Sequence, residues 1–150
     1  MIELRLAKAG DADTVLSWRN DPHTVAMSVG SAVISKADHE RWFARILDDP
    51  LTTLYLASAD GADIGVCRFD LDPRSEQAEV SINLNPAMRG KGLALPLLEA
   101  AIAAYRLDKP VPLTATIKNG NGPSLRIFAR CGFARVRTAG DCSYFVKPVV

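Results

Sequence analysis

Alternating apolar and polar residues mark several short stretches of the chain, and this pattern predicts β-strands with one buried face. The clearest stretch runs from Ala78 to Leu84 and stops at Pro86. Its apolar residues should face a core, and its polar residues should face water or a cleft. Further strands are predicted at residues 2–6, 51–59, 62–71, 111–118, 133–138 and 142–149.

Other stretches carry apolar residues at helical intervals, which predicts helices with one buried side. Ser35 is a favourable N-cap and Asp38 resembles the second half of a capping box, so a helix should begin there and end at Asp49. A longer helix should follow Gly92, because the apolar residues after it fall along one side. Shorter helices are predicted at residues 11–20 and 124–130.

The order of these elements predicts the fold class. Asp60-Gly61 between two strands is a hairpin signal, and hairpins are expected at both ends of the chain, around a strand–helix–strand crossover. We therefore predict an α/β (α+β) fold in which a mixed sheet carries helices on both faces. No linker or internal repeat interrupts the sequence, so residues 1–150 are predicted to form a single domain.

Composition narrows the classes of function. The net charge is +1 and no sustained basic run occurs, so neither a nucleic-acid partner nor electrostatic docking to a membrane is expected. No apolar stretch approaches the ~20 residues that cross a bilayer, and no signal-peptide pattern opens the chain, so we expect a cytoplasmic protein. The cysteines lack metal-ligand spacing, so reduced thiols and no metal are predicted. They are Cys67, Cys131 and Cys142.

A glycine-containing loop, Arg89-Gly90-Lys91-Gly92-Leu93-Ala94, follows a strand directly and opens a helix. The first N–H groups of a helix have no intrahelical partners, and the helix dipole places about half a positive charge there. Glycines allow close approach and the two basic residues supply countercharge, which predicts a phosphate or pyrophosphate site. A dinucleotide fingerprint would need a third glycine where Leu95 stands, and a Walker loop would need a Gly-Lys-Ser/Thr run that the chain lacks.

The loop and the strand before it resemble the principal motif of the GNAT superfamily of N-acetyltransferases. That motif is a strand, then Arg/Gln-x-x-Gly-x-Gly/Ala, then a long helix, and here it spans Ile82 to Ala94. Further along, the family carries Asn-x-x-Ala/Ser-x-x-apolar-Tyr-x-x-x-Gly-Phe. The residues at the matching positions are Asn121, Ser124, Ile127, Gly132 and Phe133.

The resemblance implies a GNAT fold, with about seven mostly antiparallel strands splayed between the fourth and fifth. It also implies acetyl-CoA as the cosubstrate. The pantetheine arm of CoA would hydrogen-bond to the backbone of the strand, and its pyrophosphate would bind to the amides of the loop. Asn121 is open to two interpretations, a contact with pantetheine or an N-cap. The residues implied in cofactor binding are Ile82, Asn83, Leu84, Arg89, Gly90, Lys91, Gly92, Leu93, Ala94, Asn121, Ser124, Phe128 and Arg130.

The chain departs from the family pattern at Phe128, where many relatives carry a tyrosine that protonates the departing CoA thiolate. Phenylalanine has no proton to give, so water, Cys131 or Tyr144 would have to serve. General acid catalysis typically contributes ~10²–10⁴-fold, so this loss should slow the enzyme without abolishing activity. The alternative is a module that binds CoA without catalysis.

Amide formation needs a neutral amine, so a base or a water chain must take a proton from the acceptor. Glu79 is the first candidate because it starts the polar face of the strand that would carry CoA; a solvated strand-end residue is the alternative. His39 is the second, since histidine exchanges protons near neutral pH. Its position on the apolar stripe of Trp42 and Phe43 is equally consistent with helix packing.

The N-terminal half resembles a subgroup that includes acetyltransferases of UDP-linked amino sugars and lies near the ribosomal-protein N-terminal acetyltransferases. The resemblance rests on residues 18–22, on His39 with Trp42-Phe43, and on residues 64–69. It implies a small-molecule amine acceptor, with a nucleotide-linked amino sugar as the leading class and a protein or peptide N-terminal amine as the alternative. Relatives of this kind often form homodimers, although no motif here dictates one.

Two arginines in these segments favour an acceptor with an anionic group, because a guanidinium binds phosphate or carboxylate through two parallel hydrogen bonds. A surface salt bridge is the alternative for each of them. Ser81 would orient water or the acceptor. The predicted acceptor-binding residues are Arg19, Asn20, His39, Arg68 and Ser81.

Overall fold

The computed structural model describes residues 1–30 and 32–149. The strands are Ile2–Leu6 (β1), Thr52–Ala59 (β2), Ala62–Asp72 (β3), Gln77–Leu84 (β4), Leu113–Lys118 (β5), Ala134–Ala139 (β6) and Cys142–Lys147 (β7). The α-helices are Ala12–Arg19 (α1), Pro22–Met27 (α2), Lys36–Asp48 (α3), Ala94–Asp108 (α4) and Gly122–Arg130 (α5).

All of these strands form one seven-stranded sheet in the order β1-β2-β3-β4-β5-β7-β6. Neighbouring strands are antiparallel except β4 and β5, which are parallel and pair only at Ala78–Leu113 and Glu79–Thr114. Beyond these pairs β4 and β5 diverge, so the second half of β4 has one open edge. This confirms the predicted mixed sheet, splayed between its fourth and fifth strands.

Two hydrophobic cores lie on opposite faces of the sheet. The core on one face contains Leu97 and Leu98 of α4 and Phe128 of α5, and Ala78 and Val80 of β4 point into it. The polar residues between them face the other way, as the alternation in β4 predicts. The core on the opposite face lies under α1 and α3 and consists of Val15, Trp18, Phe43, Ile46, Leu54, Leu56 and Val66.

Local signals in the sequence explain where several elements begin and end. Asp60 and Gly61 both have positive φ, as a tight two-residue hairpin requires. The Oγ of Ser35 accepts a hydrogen bond from the N–H of Asp38 at 3.1 Å, so the predicted N-cap of α3 is present. The Asp38 carboxylate pairs with Arg41, one turn further along, rather than completing a capping box.

Helix α2 lies in a segment, between residue 20 and Ser35, for which the sequence pattern predicts no helix. Proline lacks an N–H that the first helical turn would leave unpaired anyway, so it is well suited to open a helix. Here Pro22 does so, and Asp21 accepts a hydrogen bond from the N–H of Thr24 at 3.2 Å.

Three further observations concern predicted partners and redox state. Within the described residues, no helix combines the length and the apolar character that a membrane crossing needs. The same residues contain no group of three or more His, Cys, Asp or Glu side chains that could hold a metal ion. The three cysteines are buried and form no disulfide.

Candidate active site

A cleft of about 770 Å³ opens where β4 and β5 diverge. The polar face of β4 forms its floor, the loop before α4 borders one end, and α1, α2 and α3 supply side chains on the opposite side. The cleft brings together most of the predicted site residues, but Asn20, Lys91 and Arg130 are not among its lining. Those that line it are Arg19, His39, Arg68, Glu79, Ser81, Ile82, Asn83, Leu84, Arg89, Gly90, Gly92, Leu93, Ala94, Asn121, Ser124 and Phe128.

The loop before α4 presents unpaired backbone donors to this cleft. The N–H of Arg89 bonds to the carbonyl of Pro86 at 3.3 Å, and the next N–H with a backbone partner is that of Leu97, which bonds to Leu93 at 3.1 Å. No described residue accepts from the N–H groups between them. Gly90 and Gly92 have φ of 75° and 70°, and a Cβ built on either would meet nothing within 4 Å. These open, donor-rich residues fit a diphosphate.

Two basic side chains tether α2 beside the cleft. The guanidinium of Arg89 pairs with Asp21 and also donates to the Oγ1 of Thr24 at 2.9 Å. The ion pair with Arg89 lowers the pKa of the Asp21 carboxyl. The Nζ of Lys118, at the end of β5, donates to the carbonyl of Ala26 at 3.0 Å. Sequence analysis missed these contacts because their partners lie far apart along the chain.

Glu79 lies at the mouth of the gap between β4 and β5. Its side chain is exposed, and its Oε2 accepts a hydrogen bond from the Oγ1 of Thr116 at 3.1 Å. This bond crosses from β4 to β5 just where their backbones stop pairing. The carboxylate is therefore oriented, reachable by solvent, and able to accept a proton in the cleft.

His39 is only 1% exposed and lies in the wall formed by α3. Its Nε2 is 2.9 Å from the carbonyl oxygen of Ala12, and because a carbonyl can only accept, Nε2 carries the proton of that bond. Its Nδ1 is buried and has no hydrogen-bond partner among the described residues. The ring also packs 5.6 Å from that of Trp42 and 5.4 Å from that of Phe43. His39 thus both packs between α1 and α3 and borders the cleft.

The two arginines predicted to bind the acceptor lie in the same wall but have different surroundings. Arg68 donates from Nε to Asp70 at 2.9 Å and stacks over Trp42, with 5.3 Å from guanidinium carbon to ring centroid. Arg19, at the end of α1, has a buried Nη1 without a hydrogen-bond partner. Burial lowers the pKa of Arg19, and the charge of Arg68 lowers it further.

Asn20 contacts the backbone of the following loop instead of the cleft. Its Nδ2 donates to the carbonyl of Ile34 at 2.7 Å, and its Oδ1 accepts from the N–H of Ile34 at 2.8 Å. Both functional groups of the amide are therefore engaged in joining α1 to the segment before α3. This bridge could not be recognised from sequence, because a loop residue that bonds through its backbone leaves no side-chain signature.

The structure confirms one of the two interpretations of Asn121, the N-cap, and the contact with pantetheine stays a prediction. Its Oδ1 accepts from the N–H of Ser124 at 3.3 Å, which makes it the N-cap of α5, and it also lines the cleft. Phe128, one helical turn beyond Ser124, is buried and makes an edge contact with Phe133, with ring centroids 5.0 Å apart.

The side chains considered as substitutes for the missing tyrosine are not among the residues that line the cleft. Cys131 is buried in the core under α4 and α5, and burial raises the pKa of its thiol to about 11. Tyr144 lies on β7, where Arg137 stacks over its ring at 3.9 Å. Neither position brings an acidic proton to the cleft.

Comparison with known proteins agrees with this geometry. The family model described as an acetyltransferase (GNAT) domain matches residues 2–134. A Bacillus subtilis (strain 168) protein, YwnH, provisionally named a phosphinothricin acetyltransferase, is 29% identical over 139 residues, which cover 87% of this chain and 83% of that protein.

Solved structures have the same fold. The crystal structure of another protein provisionally named a phosphinothricin N-acetyltransferase superimposes with a TM-score of 0.83 at 26% identity, covering 100% of this chain and 99% of that one. The structure of AAC(6')-Ib with ribostamycin and coenzyme A gives a TM-score of 0.85 at 21% identity, covering 98% and 93%. The family model spans most of the chain, and the chain therefore belongs to the GNAT acetyltransferase family.

Proposed function

We propose that this acyltransferase, as a single domain of residues 1–150, moves the acetyl group of acetyl-CoA to a primary amine of a small acceptor by direct attack in a ternary complex. The observation that carries the proposal is the row of unpaired N–H groups from Gly90 to Ala94 beside the open edge of β4. Acetyl-CoA supplies a thioester, whose carbonyl an amine can attack.

The donor side of the site consists mainly of backbone groups. Because β4 loses its β5 partner after Glu79, the backbone of Ile82–Leu84 has an edge on which pantetheine could lie as an added strand. The loop amides and the N-terminus of α4 would hold the diphosphate. Asn121 would contact the pantetheine arm, in addition to capping α5. The exposed side chains of Lys91 and Arg130 would contribute countercharge from outside the cleft.

Proton transfer is assigned to Glu79, directly or through water. Its carboxylate is oriented by Thr116 and reaches the cleft, whereas His39 is buried and has its Nε2 hydrogen-bonded to Ala12. Because Phe128 has no proton to give, and neither Cys131 nor Tyr144 lines the cleft, water would supply the proton that the departing sulfur takes up.

For the acceptor, the resemblance of the N-terminal half favours a nucleotide-linked amino sugar. The names of the relatives point to a second small acceptor, phosphinothricin. Both compounds carry a primary amine together with an acidic group. A peptide N-terminal amine is the remaining candidate, and it would lie in the same cleft beneath α2.

A two-stage experiment tests this function. Calorimetry with CoA comes first, and then CoA release from acetyl-CoA is followed with UDP-linked amino sugars, phosphinothricin, peptides with free N-termini and polyamines. We expect CoA to bind and at least one small amine to be acetylated. A protein that binds CoA but is inactive with the whole panel would instead be a CoA-binding module.

A further inference from the structure

Arg19 is a cation for which the structure provides no partner. No hydrogen bond or ion pair joins its side chain to another described residue, and its Nη1 is shielded from solvent. A buried charged donor without a partner is costly, so native proteins rarely leave one unsatisfied. Arg19 lines the cleft, where a ligand could reach it.

Arg68 adds a second positive charge close to Arg19. It lies on β3 opposite Ser81 of β4 and also lines the cleft. Its ion pair with Asp70 uses only Nε, so its two Nη atoms are not engaged by that carboxylate. Stacking on Trp42 limits the orientations of the guanidinium plane. The side chain is therefore fixed while part of its hydrogen-bonding capacity is unused.

The arginines that line the cleft do not all have a carboxylate partner. Asp70 offsets Arg68 and Asp21 offsets Arg89, but no carboxylate in the described residues pairs with Arg19. Burial lowers the pKa of Arg19, and the neighbouring positive charge of Arg68 lowers it further. Two neighbouring guanidinium groups, of which only Arg68 has a carboxylate partner, favour an anion as the missing partner.

From these observations we propose that Arg19 and Arg68 bind an acidic group of the amine acceptor, so that the acceptor class comprises amines with a carboxylate, phosphinate or phosphate. This inference rests on the proposed function, because it describes the second substrate of that reaction. It goes further in excluding purely cationic amines as the preferred acceptors. The same chemistry could come from an amino acid or from a sugar nucleotide, and the two are separated by assay.

The test compares Arg19→Gln with Arg74→Gln, which removes the same charge from the exposed turn after β3. Acetyl transfer is measured at saturating acetyl-CoA with phosphinothricin, with a UDP-linked amino sugar and with spermidine. For the anionic acceptor that the protein uses, we expect Arg19→Gln to raise KM by about 30-fold or more and to change kcat by less than about threefold. Arg74→Gln should leave both constants unchanged, and neither variant should alter the Kd of CoA.

Several outcomes would overturn the proposal. One is a wild-type protein that uses spermidine as efficiently as it uses either anionic amine. Another is an unchanged KM in Arg19→Gln, and a third is a rise in the Kd of CoA that matches the rise in KM, which would assign Arg19 to the donor. If Arg19→Gln does not fold, Arg19→Lys is tested in its place. Lysine keeps the positive charge but cannot form the bidentate hydrogen bonds of a guanidinium, so this variant should still raise KM.

The two proposals can fail separately. If no amine is acetylated, the proposed function fails, and the anion site is then tested by titrating the CoA-saturated protein with inorganic phosphate. The side-chain N–H resonance of Arg19, followed by NMR, should shift on titration, and the Arg68 resonance should shift less in Arg19→Gln. An Arg19 resonance that does not shift when phosphate is added would overturn the proposed anion site.

Discussion

The cleft has two walls that use different parts of the polypeptide. The wall that we propose to bind acetyl-CoA, called the donor wall, is formed by residues 82–94 with the start of α5. It offers backbone N–H and C=O groups on an open strand edge and at a helix terminus. The wall that we propose to bind the amine, called the acceptor wall, offers side chains from α1, α3 and β3, namely Arg19, His39, Trp42 and Arg68. A backbone wall depends on chain geometry and tolerates many side chains, whereas a side-chain wall can change specificity through one substitution. The two walls can therefore be tested with different substitutions.

Glu79 lies where the walls meet, and changing it should have the largest effect. Glutamine keeps the shape and can still bond to Thr116, but it cannot accept the amine proton. We expect Glu79→Gln to lower kcat by ~10²–10⁴-fold with little change in the KM of acetyl-CoA. Initial rates of CoA release measure both constants.

The matched control is Glu3→Gln, on the exposed part of β1, which should leave kcat unchanged. The kcat of Thr116→Val should lie between those of Glu79→Gln and Glu3→Gln, because this substitution removes the hydroxyl that orients Glu79 but keeps the carboxylate. If the kcat of Glu79→Gln is within threefold of the wild-type value, then His39 or water alone, and not Glu79, accepts the amine proton.

The donor wall is tested by Gly92→Ala, because the added methyl group would occupy the open surface on which a phosphate should lie. We expect the Kd of CoA, measured by calorimetry, to rise about 100-fold. Gly140→Ala is the matched control: it has a similar positive φ and an equally open surface, but lies in the turn before β7. Equal CoA affinity in the two variants would contradict the placement of the diphosphate.

The same contrast explains which features could be predicted from sequence. The strand, the glycines and the helix of the donor wall are contiguous, so local patterns were enough to predict the loop and a mixed sheet. The splay of that sheet was implied only by the resemblance to the GNAT superfamily. The acceptor wall assembles residues from distant segments, and the bond from Thr116 to Glu79, the tether from Arg89 to α2 and the isolation of Arg19 exist only in three dimensions. Sequence could propose Arg19 and Asn20 together. It could not show that Asn20 bonds to a loop while Arg19 lines the cleft.

Gly65 of β3 links the two walls, because it pairs with Leu84 of the donor strand. A Cβ at this position would lie 2.5 Å from the carbonyl oxygen of Asn83, so the strands would have to separate. We expect Gly65→Ala to lower the free energy of unfolding by about 2 kcal/mol, a typical cost of overpacking. Urea denaturation measures this change.

The displacement of β4 by Gly65→Ala should also weaken CoA binding, although the substituted residue lies on a neighbouring strand. Gly10→Ala is the control, since a Cβ there would meet nothing within 4 Å. If Gly65→Ala has the same free energy of unfolding as the wild type, then β3 and β4 can separate without an energetic cost. The donor wall would in that case be less rigid than its backbone contacts indicate.

Phe128→Tyr should have the smallest effect, and it tests whether the donor wall needs a side-chain acid at all. Phe128 is only 2% exposed and packs edge-on against Phe133, so an added hydroxyl would have to find a partner at the border of the cleft. We expect kcat to change by less than about tenfold, because a thiolate departs readily and water can protonate it. The control is Phe128→Leu, which also lacks an acidic proton and should have a kcat similar to that of the wild type after correction for any unfolded protein.

A hundredfold gain of kcat in Phe128→Tyr alone would show that proton donation limits turnover. The donor wall would then depend on a side chain as much as the acceptor wall does.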